Sequence, residues 1–301
     1  MPPNPSIQRL PILVVAIAAS AWGLFWLPLR AFEDGGLSAG WVTFGQFAAP
    51  VLLLLPLALW RLAQGRHSGF SHAVTGLLVG GAVALYAESV LLTEVARALI
   101  LFYATPVWST LLEVAFMGQR LKRARIVSLV LGLAGLITIL GGKTGIPLPQ
   151  NLGDAMALLS GVLWAFGSMR VRQTAGVSTF ETVFSFFLYG AVVALAIAFL
   201  PIDAVGGPPD WTTLKTLLPW LLLVAVGFLI PVMWGLLWGS AHIDPGRLGI
   251  LLQLEAVVGI GSAALLTNEP FGLVEVLGTA LIIAAGIVDV FGNRGSTAKS
   301  S

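Results

Sequence analysis

Two glutamates stand where an apolar helix would have to carry them. Glu255 lies in LLQLEAVVGIGSAALL (251–266), and Glu88 lies in VALYAESVLL (83–92). An ionisable side chain at the middle of a membrane helix costs about 2.5–3.5 kcal/mol on insertion scales. Such residues face a partner or an aqueous cavity. Glu255 sits ~12 Å inside its run, at ~1.5 Å of rise per residue. Its carboxylate has three possible uses: to bind a substrate ammonium, to carry a coupling proton, or to bond a neighbouring helix and fix packing. Ser262, seven residues on, shares its face. Glu88 and Glu94 approach the outer end of their run, where a rim ion pair with Arg97 or a gating or coupling role is expected. Glu113 is placed to pair with the basic stretch at 120–125. Gln46 and Gln253 are amides that either line a cavity or clasp helices.

Aromatic residues are the second set with chemistry to offer. Trp22 and Trp26 are four apart, on one face of a helix, and Ser160, Trp164 and Ser168 repeat that spacing later. Tyr86 and Tyr103 also lie deep in apolar runs. A pocket walled by Trp22, Trp26, Tyr86, Tyr103 and Trp164, with Ser168, Gln253 and Glu255 for polar contacts, suits an apolar or aromatic side chain with polar ends. Each ring taken singly fits core packing or a lipid-facing position equally well. Trp41, Trp60, Trp211 and Trp220 fit the interfacial belt. Trp234 and Trp238 form a further pair, for a gate or for the belt. Pro28, Pro50, Pro56, Pro106 and Pro231 fall inside apolar runs and should bend them, Pro106 as a moving part.

Other chemistries are missing. No Ser/His/Asp set or paired-His metal motif appears, and Cys is absent. The run GGKT (141–144) resembles the end of a phosphate loop, but the position five before Gly142 is Ile137, where that pattern needs glycine. Neither an enzyme nor a metal or nucleotide cofactor is expected.

The elements that must hold these residues follow from composition. The chain has 301 residues, 57% hydrophobic and 10% charged. Soluble domains carry about 25% charged residues, so this inventory cannot cover a water-facing surface. Net charge is +2, with no basic face for nucleic acid. A helical span needs roughly 20 apolar residues. Ten runs qualify, at 11–30, 40–60, 72–92, 97–118, 124–141, 152–170, 179–200, 216–239, 246–267 and 272–292. The first has the make-up of a signal peptide but continues too far, and is read as an uncleaved span. The expected fold is an all-α polytopic membrane protein of ten transmembrane helices.

Charge sets the orientation. With both termini cytoplasmic, 12 of the 16 Lys and Arg residues fall on that side, and Arg30, Arg97, Lys143 and Lys215 fall on the other. The stretch after run 4 is basic (Arg120, Lys122, Arg123, Arg125), while the stretch after run 9 carries Glu269 and Glu275. That inversion fits two repeats of five helices in opposite orientations, 1–142 and 143–301, the second with a short cytoplasmic tail. Sliding one half on the other sets Trp22 on Trp164, Arg30 on Arg172 and Arg97 on Arg247. The pairs Gly76/Gly80 and Gly235/Gly239, on runs 3 and 8, allow close helix contacts at equivalent places. Inverted repeats place a site between halves that opens to each side in turn.

The segments LILFYATPVWSTLLEVAFMGQRL (99–121) and LLQLEAVVGIGSAALLTNEP (251–270), on five-plus-five spans, resemble the drug/metabolite transporter superfamily in its EamA group. The chain departs from that pattern at Gln119, where Glu is usual, and at Ala256, where Pro often follows Glu. The resemblance implies a secondary transporter that exports amino acids, aromatic or threonine-type, or related metabolites. Its substrate is a small molecule, its surroundings the inner membrane, and its state a monomer or homodimer. Cationic drugs and nucleotide-sugars are the alternative cargo. Few buried bases argue against phosphates.

Overall fold

A computed structural model describes residues 9–65, 70–105, 107–108, 111–112, 123–141, 149–171, 178–243, 245–267 and 272–297. Among the described residues there is no strand. The helices are α1 (Arg9–Trp22), α2 (Trp26–Asp34), α3 (Ala39–Ala63), α4 (Phe70–Leu92), α5 (Val95–Phe102), α6 (Arg123–Gly141), α7 (Leu152–Val171), α8 (Thr179–Ala198), α9 (Trp211–Val224), α10 (Ile230–Ser240), α11 (Pro245–Leu266) and α12 (Leu273–Thr297). Five helical stretches among the described residues are long and apolar enough to cross a bilayer: Leu10–Asp34, Ala39–Ala63, Ala73–Leu92, Thr179–Ala198 and Trp211–Gly239. Shorter apolar helical stretches occur at Ile126–Gly135, Leu152–Ser168, Leu251–Leu266 and Leu273–Val288.

Local sequence explains the starts and breaks. Ser178 and Glu181 form a reciprocal capping box at the head of α8. Asp210 caps α9 by accepting from the Thr213 amide at 2.6 Å. The first run breaks at 23–25, where Leu24 and Phe25 donate to the carbonyls three residues back, at 2.9 Å each. Pro28 has no N–H for the Leu24 carbonyl, and Leu27 bonds it instead at 3.0 Å. Pro231 likewise has no N–H for the Gly227 carbonyl four residues back, and it follows a π-turn at Ala225–Leu229 that joins α9 to α10. Pro50 and Pro56 lie within α3, which stays one helix. The first run extends past Arg30 to Asp34, because Arg30 finds the Thr93 carbonyl at 2.9 Å and Glu33 at 3.4 Å.

Packing pairs α6 with α12, α4 with α7, α3 and α4 with α8, and α1 with both α10 and α11. Helix α5 reaches both α7 and α11. The end of α1 crosses α11 closely. A Cβ on Gly23 would lie 2.6 Å from the Glu255 carbonyl oxygen and 2.9 Å from the Gly259 nitrogen. Only residues without a Cβ let the two backbones meet this closely.

The two glycine pairs are not equivalent, contrary to the sequence expectation. Gly76 and Gly80 face Tyr189, Gly190 and Phe186 on α8, whereas Gly235 and Gly239 face α1 at Ala18, Val14 and Val15. On the α7 side of α4 it is Val79 that packs, against Gly167. A helix with small residues on two faces offers two seams, and only the assembled bundle selects which is used. Large apolar side chains cover the outside, among them Leu265, Leu273 and Val130, as a lipid-facing surface requires.

Candidate functional site

The break in the first run sets Phe25 between neighbours on two helices. Trp22 stacks on Phe25 with ring centroids 4.5 Å apart and planes 8° from parallel. Phe25 in turn faces Tyr86 of α4 at 6.5 Å. Tyr86 lies 4.9 Å from Phe102 of α5. Phe102 contacts Tyr103 edge-on at 5.5 Å and Trp164 of α7 at 6.0 Å. Four of the rings expected from the sequence, Trp22, Tyr86, Tyr103 and Trp164, thus belong to one series. Phe25 and Phe102 link it, and neither was singled out from sequence. Their signal was only adjacency, to Trp26 and Tyr103, and phenylalanine is too common in apolar helices to be told apart.

Glu255 closes this series from α11. The residue is 7% exposed, and its Oε1 has no hydrogen-bond partner. Tyr103 and Tyr86 are the phenols that interact with its charge. The Tyr103 hydroxyl lies beside the carboxylate and donates to the Leu252 carbonyl at 3.1 Å. A buried carboxylate oxygen without a partner is costly, and aromatic faces beside it favour a cation. Carboxylate and rings together can hold an ammonium group and the apolar body attached to it.

The remaining predicted residues fall elsewhere. Trp26 is buried and donates its Nε1 to Ser262 Oγ at 2.9 Å, tying α2 to α11. Gln253 turns to α12, where its amide lies over Gly286 and its Oε1 has no hydrogen-bond partner. Ser168 is half-buried and bonds back to the Ala165 carbonyl at 3.1 Å. Trp234 is 38% exposed on α10. Trp238 packs on His242 at 4.6 Å near the end of α10, away from the ring series. Pro106 and Glu113 lie outside the described residues.

The expected rim pair of Glu88 with Arg97 is not formed. Glu88 is fully buried and accepts from Thr43 Oγ1 at 2.6 Å. Arg97 instead grips Asp154 of α7, at 2.7 Å from Nε and 2.8 Å from Nη2. Thr93 and the Gln150 amide also donate to Asp154, at 3.1 Å and 2.9 Å. Asn151 caps α7 by accepting from the Asp154 amide at 2.8 Å. Sequence reading passed over Asp154, a single acid after a loop, because its partner is 57 positions away. A separate hollow of about 510 Å³ lies under the loop at 198–208, lined by Phe199, Pro201, Ile202 and Pro208. It touches none of the aromatic–carboxylate residues.

The chain matches the EamA-like transporter family twice, over residues 9–141 and 151–289. It is 28% identical over 188 residues to a protein of Escherichia coli (strain K12) named a probable amino-acid metabolite efflux pump; the match covers 59% of this chain and 61% of that protein. An uncharacterized transporter of Bacillus subtilis (strain 168) is 23% identical over 248 residues, 80% of this chain and 82% of that one. A protein of known crystal structure, 19% identical, superposes with a TM-score of 0.59 over 97% of this chain and 99% of its own, a likeness of fold. With the family model matched over both halves, this chain belongs to the EamA-like transporter family.

Proposed function

We propose that the protein is a secondary carrier of the inner membrane that exports amino acids, aromatic or other neutral ones, or related small metabolites. The observation that carries this is the Glu255 carboxylate, buried beside Tyr103 and Tyr86 at the end of a ring series. It is suited to an ammonium group, and the rings to an apolar side chain. The name of the Escherichia coli relative, shared by a relative from Salmonella typhimurium, points the same way; each match spans 61% of the relative's length.

The mechanism is alternating access between two inverted repeats, 1–142 and 143–301, with both chain ends cytoplasmic. Two observations support it. The family model matches once in each half. Helix pairing also survives exchange of the halves: α4 on α7 corresponds to α10 on α1, α5 on α7 to α11 on α1, and α3 on α4 to α8 on α10. The pairs α6–α12, α3–α8 and α5–α11 map onto themselves. Substrate enters between the halves from the cytoplasm, the inner ends close, and the outer ends part.

The test is flux of labelled amino acids in liposomes holding the full chain. Saturable efflux of tryptophan or leucine, lost in Glu255→Gln, is the expected result. No saturable flux across all twenty amino acids overturns the cargo. A carboxylate among rings also suits cationic drugs, the second reading. That reading gains if quaternary ammonium dyes move and amino acids do not.

A further inference from the structure

A second buried polar cluster lies between α3 and α4, apart from the ring series. Thr43 and Gln46 are three apart on α3 and are 0% and 1% exposed; Glu88 on α4 is 0% exposed. Thr43 Oγ1 donates to Glu88 Oε2 at 2.6 Å. The other carboxylate oxygen, Glu88 Oε1, has no hydrogen-bond partner, and neither end of the Gln46 amide has one. The sequence bears on the Gln46 backbone carbonyl as well. Pro50 has no N–H to give the Gln46 carbonyl four residues back. Buried polar groups are ordinarily satisfied; here one carboxylate oxygen of Glu88 and both amide atoms of Gln46, three residues from Glu88's bonded partner Thr43, are not. Two of these three atoms are oxygens, one of them a carboxylate's, and a cation held here would take its ligands from those two.

The surroundings narrow the charge that fits here. Glu33 of α2 is the charged group that interacts with Glu88, and it is also an acid, paired with Arg30. From α5 and α7, Arg97 and Asp154 bind each other. On α8, Glu181 faces Arg61, and Tyr189 lies against Gly76, toward the other end of α4. Thr43 and Gln46 of α3 do not titrate.

We infer that Glu88, Thr43 and Gln46 form a monovalent-cation site, taking a proton or a sodium ion. Its use as a coupling site rests on the transporter reading above; its binding does not. The site is closed to solvent here, so the ion exchanges only when α3 and α4 part. Glu255 takes the substrate, and Glu88 takes the ion. Separate carboxylates let both be held at once.

Binding to the folded state raises stability, so the test needs no substrate. The full-length protein is purified in detergent, and its thermal unfolding is followed as sodium replaces N-methylglucamine at constant ionic strength. The series is repeated as pH is lowered without sodium. The expected result is stabilisation by one of the two cations, absent in Glu88→Gln and kept in Glu255→Gln. Thr43→Val and Gln46→Leu, which retain the acid, weaken the response about tenfold each, by loss of one ligand. These two variants carry the test should Glu88→Gln not fold. Sodium response identifies the ion as sodium; pH response alone identifies the proton. Stability indifferent to both cations overturns the site, as does a response unchanged in all three variants. Failure to move amino acids, with the cation response intact, sinks only the cargo.

Discussion

Arg97 and Asp154 meet as a forked pair, 2.7 Å and 2.8 Å apart at its two bonds, where α5 starts beside the first turn of α7. Both are buried, at 8% and 0% side-chain exposure. Removing one member of such a pair strands the other charge and costs about 3–5 kcal/mol. Asp154→Leu and Arg97→Met should each lower the unfolding temperature sharply in detergent. The double variant should recover much of that loss, since no unpaired charge remains. Additive single effects would show that the pair is not a unit.

Gly23 should tolerate no side chain. A Cβ there meets backbone atoms of Glu255 and Gly259 at 2.6 Å and 2.9 Å, and backbone cannot swing aside. Gly23→Ala is expected to cost about 1–3 kcal/mol by overpacking. Gly227→Ala, with nothing within 4 Å, serves as the control. Equal unfolding temperatures for the two variants would remove the crossing from the account.

Trp164 is half-buried and ends the ring series through Phe102. Aromatic pairs contribute about 0.5–1.5 kcal/mol beyond area. Trp164→Leu should therefore raise the KM for tryptophan efflux up to about tenfold, with a smaller change for leucine. Equal effects on both substrates would place the ring outside the pocket.

Asp210 lies outside the membrane and caps α9. The Thr213 backbone amide holds its carboxylate below the ordinary value of 3.8. The cap's contribution is full above that value and is lost as pH falls through the lower folded one. Protection of the Thr213 amide, its exchange relative to the intrinsic rate at each pH, should fall in acid in the native chain. Asp210→Asn, which still accepts the bond, should remove that acid response, and Asp210→Ala should quicken exchange at every pH.

Much of the fold was legible because the bilayer imposes a coarse code. Long apolar runs had to become helices, since backbone groups in lipid must bond within their own segment. The broken first run and the π-turn also trace to single prolines, at 28 and 231. Deep placement of Trp22, Tyr86, Tyr103 and Trp164 was readable from their distance to the run ends. The links at Phe25 and Phe102 were not, because their value lies in what they touch.

The sequence by itself determined that this chain is helical, lives in lipid and carries two costly acids in its apolar runs, Glu255 deep inside and Glu88 toward an outer end. Only the tertiary structure decided their company. It put Glu255 beside two tyrosines and Glu88 beside Thr43, and it gave Arg97 to Asp154. The reason is that hydropathy acts along the chain and sets where a helix starts and stops. Partner choice depends on which helix faces meet, and small residues such as Gly23 and Gly259 settle that through approaches spanning more than two hundred positions.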